Sequence, residues 1–131
     1  MKKIILSSFK ISGPLALINF AFAYFLGNGL LETPYLEPGS LELTPVLNFA
    51  IMSLVATLFM STIAAAILGF LYGRNSEKGI RTWKIIGIIF LIVYGVLPYF
   101  GGIVTLSALM LINILHLVAG VPLLVMLPKK V

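Results

Sequence analysis

Four long apolar stretches dominate the sequence and limit the chain to one class of fold. They cover residues 11–31, 46–72, 83–100 and 103–127. A hydrocarbon layer about 30 Å thick is crossed by roughly 20 helical residues, and a backbone surrounded by lipid has to satisfy its hydrogen bonds internally. We therefore predict an all-α integral membrane four-helix bundle that forms a single domain over residues 1–131.

Composition agrees with a membrane protein. Hydrophobic residues make up 60% of the chain and charged residues 10%, whereas a soluble domain carries about 25% charged residues. The sequence contains no cysteine, which excludes disulfides, thiolate metal sites and thiol redox chemistry. Lys2 and Lys3 before an apolar stretch also resemble the start of a signal peptide, but segment 11–31 exceeds a usual signal core. We expect an uncleaved first span.

The basic residues orient the predicted spans. The nine residues are Lys2, Lys3, Lys10, Arg74, Lys78, Arg81, Lys84, Lys129 and Lys130. Lys and Arg accumulate in short cytoplasmic flanks of membrane spans, and segment 32–45 and the turn near Gly101 carry none. We predict an up-down-up-down, multi-pass protein of the cytoplasmic (inner) membrane with both termini in the cytoplasm. Because these charges flank apolar spans, we expect them to contact the lipid bilayer and no nucleic acid.

The connections between spans differ in length and chemistry. Segment 32–45 holds three of the four acidic residues and three prolines, which predicts a solvated outer connector or, alternatively, a lid or docking loop. A short basic loop is expected at 74–84. Pro98 and Gly101-Gly102 predict the turn into the fourth span, while Pro122 lies inside that span and predicts a kink, or a carbonyl of Val118 satisfied by a neighbour.

The second span carries a small residue at every fourth position, which predicts a helix-packing face. Residues four apart share one side of a helix, and small side chains let a second backbone come close. The repeat favours packing against another helix of the same chain, with an interface between molecules as the alternative. Its members are Ser53, Thr57, Ser61, Ala65, Gly69 and Gly73.

Polar residues from several spans are expected to meet near the middle of the membrane. Counting inward from the cytoplasmic boundaries at helical rise brings their depths close together. They are either a structural cluster around one neutral histidine or a site for a lipid-soluble ligand, a proton relay, a metal or a haem. The candidate ligand-binding residues are Asn19, Ser61, Tyr94, Asn113 and His116.

The residues that membrane chemistry usually needs are scarce here. All four acidic residues fall in predicted loops, which argues against a proton-coupled exporter. One histidine without cysteine or a buried carboxylate does not supply the three or four ligands of a metal site, and haem needs a second axial ligand, which a second copy of His116 would have to provide. We predict no catalytic residues, no metal and no cofactor, and hence no enzyme.

Several local motifs resemble a known family. Arg81-Thr-Trp83 opens the third span, Pro98 closes it, and the fourth span contains Leu115-His-Leu-Val-Ala-Gly-Val-Pro122. These stretches are similar to a bacterial family of small four-helix membrane proteins classified only as a domain of unknown function. The resemblance implies a four-helix membrane topology and carries no activity with it.

The function that follows from the residues is non-enzymatic. We predict a small membrane protein that acts through helix packing, as an accessory or interaction subunit of a membrane protein partner or as a homo-oligomer. The alternative is a binding or transport protein with a midplane polar pocket around His116 for a lipid-soluble ligand.

Overall fold

The computed structural model describes residues 2–30, 45–100 and 106–131. They form four α-helices, α1 (Lys2–Leu30), α2 (Pro45–Arg74), α3 (Ser76–Phe100) and α4 (Leu106–Met126), and a final 3₁₀ turn at Leu127–Lys130. All four helices are long and apolar enough to cross a membrane. The all-α class is therefore confirmed. The predicted outer connector before Pro45 and the Gly101-Gly102 part of the predicted turn lie outside the described residues. Pro98, which was predicted to belong to that turn, instead lies inside α3, because the helix continues to Phe100.

Two helices begin well before the apolar stretches that predicted them. α1 begins at Lys2 rather than near residue 11, and α3 begins at Ser76 rather than at Trp83. Hydropathy marks only the part of a helix that fits the hydrocarbon layer, while a helix continues until its backbone hydrogen bonds are capped or broken. α4 also continues through Pro122 as far as Met126.

A single residue, Asn75, joins α2 to α3. Its side-chain Oδ1 accepts a hydrogen bond from the backbone N–H of Lys78 at 2.9 Å, so Asn75 caps the N-terminus of α3. The N–H of Asn75 itself donates to the Leu71 carbonyl at 3.2 Å. Gly79 lies against the backbone of Leu71, where an added Cβ would collide. The basic segment predicted as a loop at 74–84 is therefore helical on both sides of one corner residue.

Two apolar clusters form the core, one toward each end of the bundle. The larger one joins Ile4, Ile11, Ala65, Leu68, Trp83, Leu123 and Leu127. The smaller one joins Ala23, Ala50, Leu111 and Leu115. α1 packs chiefly on α2 and α4, and α3 packs on the same two helices. The early part of α1 thus shares a cluster with the end of α4, and its later part shares one with the middle of α4.

The four helices differ strongly in burial. In its most apolar 18-residue window, α1 buries 33% of its residues, whereas α3 buries 6%. Large apolar side chains such as Ile88, Ile92 and Leu97 are exposed on α3. α3 is therefore the helix least enclosed by the rest of the described chain.

The predicted small-residue face of α2 packs against α1 over its central part. Thr57, Ser61 and Ala65 are buried, and Ser8 Oγ donates across the interface to the carbonyl of Ser61 at 3.2 Å. Gly73, in contrast, is exposed, with open space where a Cβ would be added. The packing partner of the central part is a helix of the same chain, and the face ends before the corner at Asn75. Ser53 and Gly69 are half-buried.

Sequence reasoning missed the matching row of small residues on α1. Ser8, Ser12, Ala16 and Ala23 are all buried. Ser8, Ser12 and Ala16 are four residues apart, which is the same signal that identified the α2 face. The row went unnoticed because part of it precedes the predicted start of the first span.

Candidate functional site

A cavity of about 500 Å³ lies between α2, α3 and α4. Its floor is formed by α4, whose lining residues are buried or half-buried, together with Asn19 of α1. The walls are α2 and α3, and their lining residues include exposed side chains such as Met52, Ile63, Phe90 and Tyr94. The mouth of the cavity therefore opens sideways between α2 and α3.

The cavity exists because α3 meets α2 closely only on the Asn75 side of the cavity. Near the corner, Trp83 is 4% exposed and its Nε1 donates to the carbonyl of Ala64 at 2.8 Å. Trp83 and Ala64 form part of the lining. Beyond Trp83, Ile86, Phe90 and Tyr94 of α3 line the cavity and are exposed. Trp83 thus marks the closed end of the site.

Glycines allow α3 to rest on α4 on the opposite side of the cavity. Leu124 of α4 packs where Gly87 has no side chain, and Leu91 of α3 packs in the same way against Gly120. These contacts involve the tips of flexible leucine side chains rather than backbone atoms. The α3–α4 contact is therefore close but deformable. All four of these residues line the cavity.

The cavity lining is apolar apart from a few uncharged polar groups. Among the described residues, none of those that line it is Asp, Glu, Lys or Arg. Polar atoms come from three hydroxyl residues on α2, from Trp83 and Tyr94 on α3, and from Asn19 and His116 on the floor. Such a lining matches the usual composition of a site for an apolar molecule with a few groups that fix its orientation.

Four of the five predicted site residues line this cavity: Asn19, Ser61, Tyr94 and His116. The ring centroids of Tyr94 and His116 are 6.0 Å apart, and Tyr94 stacks on Phe90 with centroids 4.2 Å apart. Tyr94 therefore stands at the mouth beside the histidine. Their role in binding stays a prediction.

Asn113, the fifth predicted residue, is not part of the lining. It lies one turn before His116 on α4, and its Oδ1 points at Gly95, where it would be 3.1 Å from an added Cβ. Asn113 thus belongs to the contact between α3 and α4. Phe90 and the glycine contacts were missed from the sequence, because nothing in the spacing of apolar residues distinguishes a cavity wall from a filled core.

A hydrogen-bonded pair holds the polar part of the floor. Asn19 Nδ2 donates to Thr57 Oγ1 and to the carbonyl of Leu115, both at 3.0 Å. Thr57 Oγ1 in turn donates to the carbonyl of Ser53 at 2.7 Å. Asn19 thereby links α1 to both α2 and α4 at the base of the cavity.

One buried polar atom of a lining residue, Asn19 Oδ1, has no hydrogen-bond partner among the described residues. Outside the cavity, the same holds for Ser12 Oγ. Buried polar groups in proteins are nearly always paired, so each exception calls for an explanation. Within the described ranges, no three His, Cys, Asp or Glu side chains come together in a way that would hold a metal ion.

The chain was compared with known protein families, with curated proteins and with solved structures. A model described as a family of unknown function (DUF6069) matches residues 14–131. The chain belongs to this family. The resemblance to a domain of unknown function is therefore confirmed. The matched region begins before Asn19 and so includes every residue of the cavity lining. No curated protein and no solved structure shows significant similarity to the chain.

Proposed function

We propose that this protein binds an uncharged, lipid-soluble ligand in the cavity between α2, α3 and α4. The observation that carries the proposal is the cavity itself, which encloses about 500 Å³ beside His116. Ligand sites usually measure about 300–1,000 Å³ and are mostly apolar. A tightly packed core around His116 would have left helix packing as the better account. The proposed role is binding or transport, without catalysis.

The proposal includes a location in the bilayer. We infer a multi-pass protein of a bacterial cytoplasmic membrane, with an up-down-up-down bundle and both termini on the cytoplasmic side. The orientation is supported by the basic residues, which all fall on the predicted cytoplasmic side of the spans. The up-down order is supported by the two core clusters. Ile4 shares a cluster with Leu127, while Ala23 shares one with Leu111. This pairing is expected where α1 and α4 are antiparallel. A mouth between α2 and α3 then faces lipid, the solvent of the ligand.

The topology can be tested with single cysteines because the natural sequence has none. Ser40→Cys probes the predicted outer connector, and Lys130→Cys probes the C-terminus. A membrane-impermeant maleimide should label the Ser40→Cys protein in intact spheroplasts and the Lys130→Cys protein only after lysis. Labelling in the reverse order would contradict the proposed orientation.

Ligand binding can be tested by filling the cavity. Ala56 and Ala66 are both exposed alanines of α2, but only Ala56 lines the cavity. Native mass spectra of protein released from nanodiscs should show a bound small molecule in the wild type and in Ala66→Phe. The adduct should be lost in Ala56→Phe and weakened in His116→Ala. A wild type without any adduct, or equal adducts in both phenylalanine variants, would count against the cavity as a binding site.

A second candidate function is that of an accessory or interaction subunit. The observation that favours it is the exposure of α3, which buries only 6% of its apolar window. A partner helix or a second copy of the chain would enclose that surface. The same spectra report the number of subunits, so a stable oligomer without a small adduct would favour this alternative.

A further inference from the structure

Asn19 lies in the floor of the cavity with one polar atom unpaired. The residue is 2% exposed, and its Nδ2 uses both hydrogens, on Thr57 Oγ1 and on the Leu115 carbonyl. Its Oδ1 is buried and has no donor among the described residues. The floor therefore offers a hydrogen-bond acceptor that the described residues leave unused.

The orientation of the Asn19 amide is determined by its neighbours. A backbone carbonyl accepts hydrogen bonds and cannot donate them, so Nδ2 rather than Oδ1 has to face Leu115. The hydroxyl hydrogen of Thr57 is already directed at the carbonyl of Ser53. A flip of the amide would place two acceptors against each other. Neither neighbour can therefore supply a hydrogen to Oδ1.

The unpaired oxygen of Ser12 is a different case. A serine hydroxyl can rotate to donate to a carbonyl one turn earlier in its own helix, as Ser61 Oγ does to Leu58 at 2.8 Å. An amide oxygen has no hydrogen to donate, and the backbone N–H groups inside a helix are already bonded to carbonyls. Because Asn19 belongs to the cavity lining, a molecule bound in the cavity is the candidate donor for Asn19 Oδ1.

The lining also restricts what kind of molecule can bring this donor. Within residues 2–30, 45–100 and 106–131, no Asp, Glu, Lys or Arg lines the cavity to balance a charged group, and an unpaired charge in an apolar site is very unfavourable.

We propose that the ligand is an uncharged lipid alcohol whose hydroxyl group donates a hydrogen bond to Asn19 Oδ1. This inference rests on the proposed function and adds the chemical class of the ligand. Long-chain alcohols, isoprenoid alcohols, diacylglycerols and quinols share the required O–H group. Ethers, ketones and esters of the same length offer only acceptors and leave Asn19 Oδ1 unpaired.

The protein contains its own reporter for a test. Trp83 is the only tryptophan of the chain and lines the cavity. Hexadecanol and hexadecyl methyl ether, each brominated on the chain, can be titrated into the detergent-solubilised protein while quenching of Trp83 fluorescence is followed. The Ala56→Phe variant measures quenching from outside the cavity, and this part is subtracted. Hydroxyl and ether ligands are matched in length and in quencher position.

The expected result is that the alcohol reaches half-maximal quenching at a concentration at least tenfold lower than the ether. Sites built around a buried polar group discriminate against ligands that leave it unpaired. Equal titrations of alcohol and ether would overturn the inference and leave the binding function standing. If neither ligand quenches more in the wild type than in Ala56→Phe, the proposed function fails as well.

A substitution of Asn19 distinguishes its contribution to the alcohol preference from that of the other lining residues. In Asn19→Leu, the preference for the alcohol should fall below twofold, while in Ser12→Ala it should persist because Asn19 Oδ1 is retained. Ser12 is a buried residue of the same helix whose Oγ is unpaired and which does not line the cavity, so Ser12→Ala controls for the loss of a buried polar group of α1. A preference that survives in Asn19→Leu would overturn the role of Oδ1.

Discussion

Both α1 and α3 pack on α2, yet they do so in opposite ways. α1 brings a row of small residues to the small-residue face of α2, and Ser8 and Asn19 donate hydrogen bonds across the interface. α3 meets α2 at Gly79 and Trp83 and is then separated from it by the cavity. Close packing along the small-residue face of α2 is therefore found where the facing helix also presents small side chains.

The difference follows from what each partner helix presents to α2. Ser8, Ala16 and Ala23 let α1 come close over much of its length. α3 instead presents Ile86 and Phe90 to the cavity. Without a hydrophobic effect inside lipid, helix association depends on close van der Waals contact and hydrogen bonds. The α1–α2 contact satisfies both conditions, and the α2–α3 contact does so only near the corner.

The largest effect is expected from overfilling the closed interface. Ala65→Leu places a large side chain where Ala65 is 0% exposed and packs with Ile4 and Ile11 of α1, and overpacking of this kind costs about 3 kcal/mol of unfolding free energy. Gly73→Leu is the matched control, because Gly73 belongs to the same repeat but adjoins open space. Unfolding monitored by steric trapping or by heating in detergent measures both. Equal stability of the two variants would mean that α1 and α2 are not tightly packed.

A smaller loss is expected at the corner between α2 and α3. Gly79→Ala brings a Cβ against the backbone of Leu71, which cannot move aside as a side chain would, and we expect a loss of about 2 kcal/mol. Gly13→Ala in α1 adds the same methyl group in open space. It should stabilise the helix by up to about 1 kcal/mol, since alanine favours the helix over glycine. Stability shifts of the same sign in both proteins would contradict this account of the corner.

The smallest effect is expected where α3 rests on α4. In Gly120→Ala, the new methyl group meets the flexible end of Leu91 beside a cavity that can receive it. The expected change in unfolding free energy is about 0.5 kcal/mol in either direction, because the loss from crowding is offset by better helix propensity. The stability of both variants is measured by thermal unfolding. A loss of unfolding free energy as large as that of Gly79→Ala would show that the α3–α4 contact is rigid.

The number of helices and their approximate positions could be predicted from sequence because lipid imposes a minimum apolar length on each span. The early starts of α1 and α3 could not, because they depend on capping beyond the apolar stretch. Asn75 and Gly79 determine where α3 begins, and each is a single residue in a segment whose charges suggested a loop.

The candidate site was predictable in its polar residues but not in its shape. Asn19, Ser61, Tyr94 and His116 were found by counting depth along separate helices, which is a one-dimensional measure. Whether such residues meet in a filled core or around a cavity depends on the width of the side chains between the helices. Asn113 was included because residues three apart share a helix face with His116, yet it contacts α3 and does not line the cavity.

Asn75 is the single residue between α2 and α3, so a small change in the angle at this residue moves the far end of α3 by a larger distance. Because only one residue joins α2 and α3, the angle at Asn75 sets how far apart their other ends lie. α3 has 25 residues, so at 1.5 Å per residue it is about 37 Å long, and a rotation of about 5° at Asn75 moves its far end by roughly 3 Å. If the cavity binds a ligand as proposed, the width available to it between α2 and α3 would be set at the opposite end of the bundle, by packing at Gly79.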